Sequence, residues 1–134
     1  MITFPNAKIN LGLNIVRRRT DGYHDIETIF LPIALKDVIE IVPAKGNNST
    51  LTTYGRAINC PTEKNLVMKA YRALETEFNL SPVDIHLHKN IPDGAGLGGG
   101  SSDAAFTMLM LNSMLELNIS KADLAARAAK LGAD

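Results

Sequence analysis

The first half of the chain alternates apolar and polar residues. In residues 8–16, KINLGLNIV, an apolar side chain recurs at every second position from Ile9 to Ile15, which is the pattern of a strand with one buried face. The polar segment 17–25 follows and contains an Asp-Gly turn signal. Further segments of β-rich composition predict strands at 26–33, 37–43 and 49–55.

The second half is dominated by helical spacing. Residues 62–78 repeat apolar side chains every three or four positions and predict a helix with Thr62 as its N-cap. Residues 83–92 alternate again and predict a strand that leads into a glycine-rich loop. Two helices are expected after that loop, one at 102–117 and one capped by Ser120. This order predicts an α+β fold and not a regular β-α-β alternation.

Composition narrows the kind of protein and the kind of partner. Residues 1–134 are one domain's worth of chain. Lys plus Arg (14) balance Asp plus Glu (14), which argues against a nucleic-acid or membrane partner. The lone cysteine, Cys60, suits a reducing compartment. We see neither a signal-peptide pattern nor an apolar run near the ~20 residues of a membrane span, so we expect a cytoplasmic protein.

Residues 94–100 contain five glycines in seven positions, directly before a helix-forming segment. Glycine costs backbone entropy, so a bare backbone at this place needs a reason. Unpaired amides and the positive end of the helix dipole favour phosphate binding there, whereas glycines that only give flexibility or packing are the alternative. A Walker A loop needs a lysine after the glycines, and none follows. The match to G-x-G-x-x-G is formal, because a second helix stands where a dinucleotide site needs a strand.

Residues 92–105, PDGAGLGGGSSDAA, resemble the second signature of the GHMP kinases, the superfamily named for galactose, homoserine, mevalonate and phosphomevalonate kinases. Residues 5–15, PNAKINLGLNI, and 17–30, RRRTDGYHDIETIF, are similar to the branch that acts on 4-diphosphocytidyl-2-C-methyl-D-erythritol in non-mevalonate isoprenoid biosynthesis. The resemblance implies the GHMP-kinase N-terminal domain, a ribosomal-protein-like two-layer α/β sandwich with a left-handed β-α-β unit. It also implies ATP-dependent phosphorylation of the 2-hydroxyl of that small molecule, with Mg²⁺.

Site residues are carried over from the resemblance position by position. Asp134 matches the catalytic base and Lys8 its electrostatic partner, while Asn10 would face the substrate hydroxyl. Tyr23 and His24 match the pair that holds the cytosine ring. The ATP site is assigned to Asn65 against adenine, to Lys89, and to Pro92, Asp93, Gly94, Ala95, Gly96, Leu97, Gly98, Gly99, Gly100, Ser101 and Ser102, the last also as a candidate Mg²⁺ ligand.

Ordinary interpretations of these residues stay open, as do other functions. Lys8 also fits a surface lysine on a polar strand face, and Asp134 fits a solvated chain end. His86 and His88 lack a third metal ligand nearby and fit an exposed strand face. Family members are about twice as long, so the resemblance implies a truncated N-terminal part with little activity of its own. Another GHMP-type small-molecule kinase and a non-catalytic nucleotide- or RNA-binding module are the remaining functional alternatives.

Overall fold

The computed structural model describes residues 1–132. Within that range the chain forms two β-sheets, three α-helices and one 3₁₀ turn at Thr62–Lys64. The strands are β1 (Ile2–Thr3), β2 (Asn6–Arg18), β3 (His24–Lys36), β4 (Val38–Pro43), β5 (Thr50–Gly55) and β6 (Val83–Lys89). The helices are α1 (Leu66–Phe78), α2 (Gly99–Met114) and α3 (Lys121–Ala129).

One sheet carries the core of the domain. Its strand order is β1-β4-β6-β5, with β6 antiparallel to β4 and parallel to β5. Helix α1 connects the parallel strands β5 and β6, and α2 packs beside α1. Apolar residues of β4, β6 and the helices form a single buried cluster, which includes Ile39, Ile85, Tyr71 and Met108. The predicted α+β class is confirmed.

Strands β2 and β3 form a separate antiparallel hairpin whose apolar side chains are mostly exposed. From Leu11 onward every residue of β2 is exposed, and Ile15 is 67% exposed. The alternation therefore predicted the strand correctly but predicted its buried face wrongly. The alternation of apolar and polar residues reflects the geometry of a strand. Burial of the apolar side chains requires in addition an element that covers them, and none lies over this part of the hairpin in residues 1–132.

Helix starts differ from the prediction in two places. Thr62 begins the short 3₁₀ turn, and the N-cap of α1 is Asn65, whose side-chain oxygen accepts from the amide of Val67 at 2.9 Å. Helix α2 begins at Gly99, three residues earlier than expected, because the glycines join its first turn instead of preceding it. Ser120 caps α3 as predicted, with its hydroxyl accepting from the amide of Asp123. No helix of the described part is long and apolar enough to cross a membrane.

The cap at Asn65 gives a stability prediction. Replacing Asn65 by Ala leaves the Val67 amide without its acceptor and should lower the free energy of unfolding by about 1 kcal/mol. Asn65→Asp is the matched control, because an aspartate caps a helix as well as an asparagine does. Urea denaturation followed by circular dichroism measures both. Equal midpoints for the Ala variant and the unchanged protein would contradict the assigned cap.

Candidate active site

The glycine loop, residues 92–98, links β6 to α2 and forms a concave backbone surface. Its φ angle is positive at every second residue, at Gly94, Gly96 and Gly98. Such alternation turns successive amides toward one side and creates an anion-binding concavity. Among the described residues, the amides of 94–101 donate to no protein acceptor. The loop and Leu66 enclose a cavity of about 240 Å³, so free amides and space for a ligand occur together.

Lys8 holds the loop from the side. Its backbone amide donates to the carbonyl oxygen of Leu97 at 2.9 Å, and its Nζ donates to the carbonyl oxygen of Gly96 at 3.1 Å. The same Nζ donates to Asn10 Oδ1 at 3.3 Å and lies 5.3 Å from the ring centre of Phe30. A Cβ at Gly98 would lie 3.0 Å from Lys8 Cε, so the absent side chain leaves room for the lysine stem.

A second cavity, of about 280 Å³, lies between the hairpin and the start of α2. Lys8, Phe30, Ser101 and Ser102 line it together with Asn6, Gly98 and Ala105. Lys8 and the serines at the start of α2, Ser101 and Ser102, therefore line one cavity beside the concave surface of the glycine loop. The structure thus brings together four groups that the sequence predicted as site residues: Lys8, Asn10, the glycine loop and the serine pair.

The end of α3 also reaches this region. Gly132, the last described residue, packs against Ser101, since a Cβ at Gly132 would lie 2.5 Å from Ser101 Oγ. The chain therefore leaves the described range beside the serine pair. The predicted base, Asp134, lies outside the described residues.

Tyr23 and His24 are not next to the loop. They lie at the tip of the hairpin, where His24 pairs with Arg18, ten positions after Lys8. An extended strand covers about 33 Å over that length. Three register shifts interrupt the pairing, and such irregularities bend a ribbon. Tyr23 is 55% exposed, and any ligand that contacts both this tip and Lys8 must be elongated.

Lys89, assigned to the ATP site by the resemblance, is buried. It is 2% exposed, and its Nζ donates to Asp37 Oδ2 at 2.6 Å and to Asp103 Oδ2 at 2.8 Å. Asp93, on the loop, lies 3.9 Å from the same nitrogen and is half exposed. Lys89 therefore lies beneath the loop and is neutralised by carboxylates, because a buried ammonium without partners would be too costly.

The two buried carboxylates differ in the direction of their pKa shifts. Burial and the neighbouring carboxylate of Asp37 raise the pKa of Asp103 to about 8, although Lys89 opposes this shift. Burial also acts to raise the pKa of Asp37, but the neighbouring Asp103, Lys89 and the amides of Asn90 and Ile91 hold it below its usual value. Asp37 is therefore the stronger ion-pair partner of Lys89.

Asn65 and Lys89 line a smaller cavity, of about 120 Å³, on the α1 side of the loop. Cys60, Lys64, Asp93 and Asp103 contribute to its walls. The Oδ1 atom of Asn65 is already used by the helix cap, so its side-chain NH₂ is the group left for a ligand. No cluster of three His, Cys, Asp or Glu side chains suited to a metal occurs in residues 1–132.

Comparison with known proteins decides the family. Residues 65–134, more than half of the chain, match the sequence model described as the GHMP kinases N terminal domain. The chain belongs to the GHMP kinases. The glycine loop and all of α2 and α3 lie within the matched range of this GHMP kinase.

Several relatives match the chain over its whole length. The chain is 56% identical, over all of its length, to half of the 4-diphosphocytidyl-2-C-methyl-D-erythritol kinase of Bacteroides thetaiotaomicron. It is 52% identical to 49% of the protein of that name from Cytophaga hutchinsonii. A crystal structure of 4-(cytidine 5'-diphospho)-2C-methyl-D-erythritol kinase superposes with a TM-score of 0.78 at 38% identity, covering 98% of this chain and 46% of that one. The chain therefore spans about half the length of the relatives it matches.

Gly98 provides a test of what the loop is for. An alanine there adopts an unfavourable positive φ and pushes its Cβ toward Lys8, so the amides and the lysine no longer converge on one point. We expect Gly98→Ala to weaken binding of a non-hydrolysable ATP analogue about tenfold or more, a larger free-energy change than its effect on unfolding. Calorimetric titration and urea denaturation measure the two quantities.

Gly46→Ala is the matched control, since Gly46 lies in an exposed turn with nothing within 4 Å of an added Cβ. This variant should change neither quantity. If Gly98→Ala instead lowers stability more than affinity, these glycines serve packing.

Proposed function

We propose that the complete gene product containing this chain is an ATP-dependent kinase that phosphorylates the 2-hydroxyl of 4-diphosphocytidyl-2-C-methyl-D-erythritol. The observation that carries the proposal is the glycine loop with its unpaired amides, held by Lys8 and opening beside Ser101 and Ser102. The relatives that share this sequence over its whole length carry that substrate in their names, which supports the specific acceptor.

Phosphoryl transfer needs fixed positive potential around the transferring group and a positioned acceptor. Backbone amides of the loop provide donors for phosphate oxygens, and α2 adds the positive end of its dipole. Lys8 Nζ, at 3.1 Å from the Gly96 carbonyl oxygen, is placed to stabilise charge where a phosphate would emerge from the loop. These groups bind and orient, and they need no rearrangement of the core.

Mg²⁺ fits this site as a partner of phosphate, not as an ion caged by protein. It commonly keeps several waters and binds through few protein oxygens plus substrate phosphates. The hydroxyl of Ser102, on the wall of the cavity shared with Lys8, is the protein oxygen we assign to it. When bound there, the ion would neutralise charge on the phosphate oxygens.

Asp134 remains our candidate for the base. As the base, its carboxylate would accept the proton of the substrate hydroxyl or orient that hydroxyl for attack.

The hairpin provides the groups that would select the substrate in this proposal. Tyr23 and His24, at the tip, offer an aromatic face and hydrogen-bonding groups to a cytosine ring, whereas Asn10 lies beside Lys8. A substrate with its base and its reacting hydroxyl at opposite ends of a diphosphate matches a site whose recognition groups are separated in this way.

The proposal is tested by the reaction itself. The complete gene product, with Mg²⁺ and ATP, should phosphorylate the cytidyl substrate and leave mevalonate unmodified, with the product identified by ³¹P NMR. Lys8→Met should lower kcat by about 10²-fold or more, since it removes charge stabilisation in the transition state. Lys45→Met, in an exposed turn, is the control and should keep full activity.

Two results would contradict the proposal. Phosphorylation of mevalonate in preference to the cytidyl substrate would favour another GHMP-type kinase. Nucleotide binding without any transfer would favour a non-catalytic module.

A further inference from the structure

The glycine loop is attached to the buried charges beneath it at both of its ends. At its start, Asp37 Oδ1 accepts from the amides of Asn90 at 2.6 Å and Ile91 at 2.8 Å. At its end, Asp103 in the second turn of α2 is bonded to Lys89 Nζ. Since Lys89 also bonds Asp37, a continuous chain of hydrogen bonds joins the two ends of the loop.

Packing also holds the two ends of the loop together. A Cβ at Gly99 would lie 2.7 Å from Ile91 Cγ2 and 3.1 Å from Lys89 Nζ, so the first residue of α2 rests directly on the last residues before the loop. Five of the loop's positions, 94–98, carry only glycine, alanine or leucine and have no polar side chain with which to fix their own shape. The separation and orientation of the two ends therefore determine where the amides point.

We propose that Asp37, Lys89 and Asp103 are positioning residues for nucleotide binding, which hold both ends of the glycine loop so that its amides converge on phosphate. This inference rests on the proposed function and assigns it residues that touch neither substrate nor phosphate. Asp37 and Asp103 were not among the site residues that the sequence indicated.

The ion pairs of the cluster agree with this role. Lys89 Nζ lies 2.6 Å from Asp37 Oδ2 and 2.8 Å from Asp103 Oδ2, and all three side chains are buried. Asp93, on the loop, lies 3.9 Å from the same nitrogen. Lys89 is therefore held beneath the loop by carboxylates from both of the loop's ends.

Substitutions at Asp103 separate positioning from mere stability. Asp103→Ser keeps a small polar side chain but is too short to reach Lys89, so we expect affinity for Mg²⁺ and the non-hydrolysable ATP analogue to fall about tenfold or more in the folded protein. Asp103→Asn keeps an oxygen for Lys89 without charge and should bind within about threefold of the unchanged protein at pH 7. Asp123→Ser, an exposed aspartate in the first turn of α3, is the matched control.

Titration calorimetry gives affinity and urea denaturation gives stability for each variant of the complete gene product. Parent-like affinity in folded Asp103→Ser would overturn the inference and leave the proposed function intact. Loss of binding that Asp103→Asn restores supports it. If the unchanged protein itself fails to bind the analogue, the proposed function and this inference fall together.

A second pair of variants decides the matter even if Asp103→Ser does not fold. Asp37→Ser is too short to reach the amides of Asn90 and Ile91 at the start of the loop, whereas Asp37→Asn keeps an oxygen that can accept from them. We expect affinity for the analogue to fall about tenfold or more in folded Asp37→Ser and to be recovered in Asp37→Asn. Parent-like affinity in folded Asp37→Ser would overturn the inference.

Discussion

A backbone without side chains cannot fix its own shape, and this constraint organises the site. Glycine lets a ligand approach the backbone closely, but it also has more conformational freedom than other residues, and folding must remove that freedom. In this domain the freedom is removed from outside the loop: Asp37 and Asp103 act at its two ends through Lys89, and Lys8 acts on its middle through the carbonyls of Gly96 and Leu97. A loop without side chains, which lets phosphate approach closely, thus depends on side chains outside the loop to hold its shape.

The two lysines illustrate how burial separates roles that sequence makes look alike. Both lie against the glycine loop, yet Lys89 is enclosed by carboxylates, whereas Lys8 bonds only to neutral oxygens among the described residues. The charge of Lys89 is compensated locally, so it contributes little field where a phosphate would bind. No carboxylate within residues 1–132 forms an ion pair with Lys8, which lines an open cavity. Only Lys8 is therefore suited to act on charge that develops during a reaction.

Local pattern predicted much of the fold but not its long-range polar contacts. Alternation indicated β2 and β6, and helical spacing with Ser120 indicated α3, because these signals depend on neighbours in sequence. Thr62 and Asn65 are both capping residues, and the 3₁₀ turn between them decided in favour of Asn65. Asp37 carried no local signal at all, since its importance comes from Lys89, 52 positions away. The glycine motif indicated the site, whereas its supports required the tertiary structure.

The hairpin shows why a strand's pattern alone cannot say what the strand does. Near Lys8 it is tied to the loop, and Ala7 is fully buried, so this end shares the rigidity of the core. From Leu11 onward its apolar residues are exposed, and only pairing between β2 and β3 orders them. Exposed apolar area of this kind is unfavourable unless another surface uses it. In the proposed function, a rigid half would hold the phosphates and Lys8, and an extended half would present Tyr23 and His24 at a distance from them. Phosphoryl transfer requires rigid positioning only at the reacting groups. The exposed end of the hairpin, which is less constrained, can therefore bind the distant end of a long acceptor.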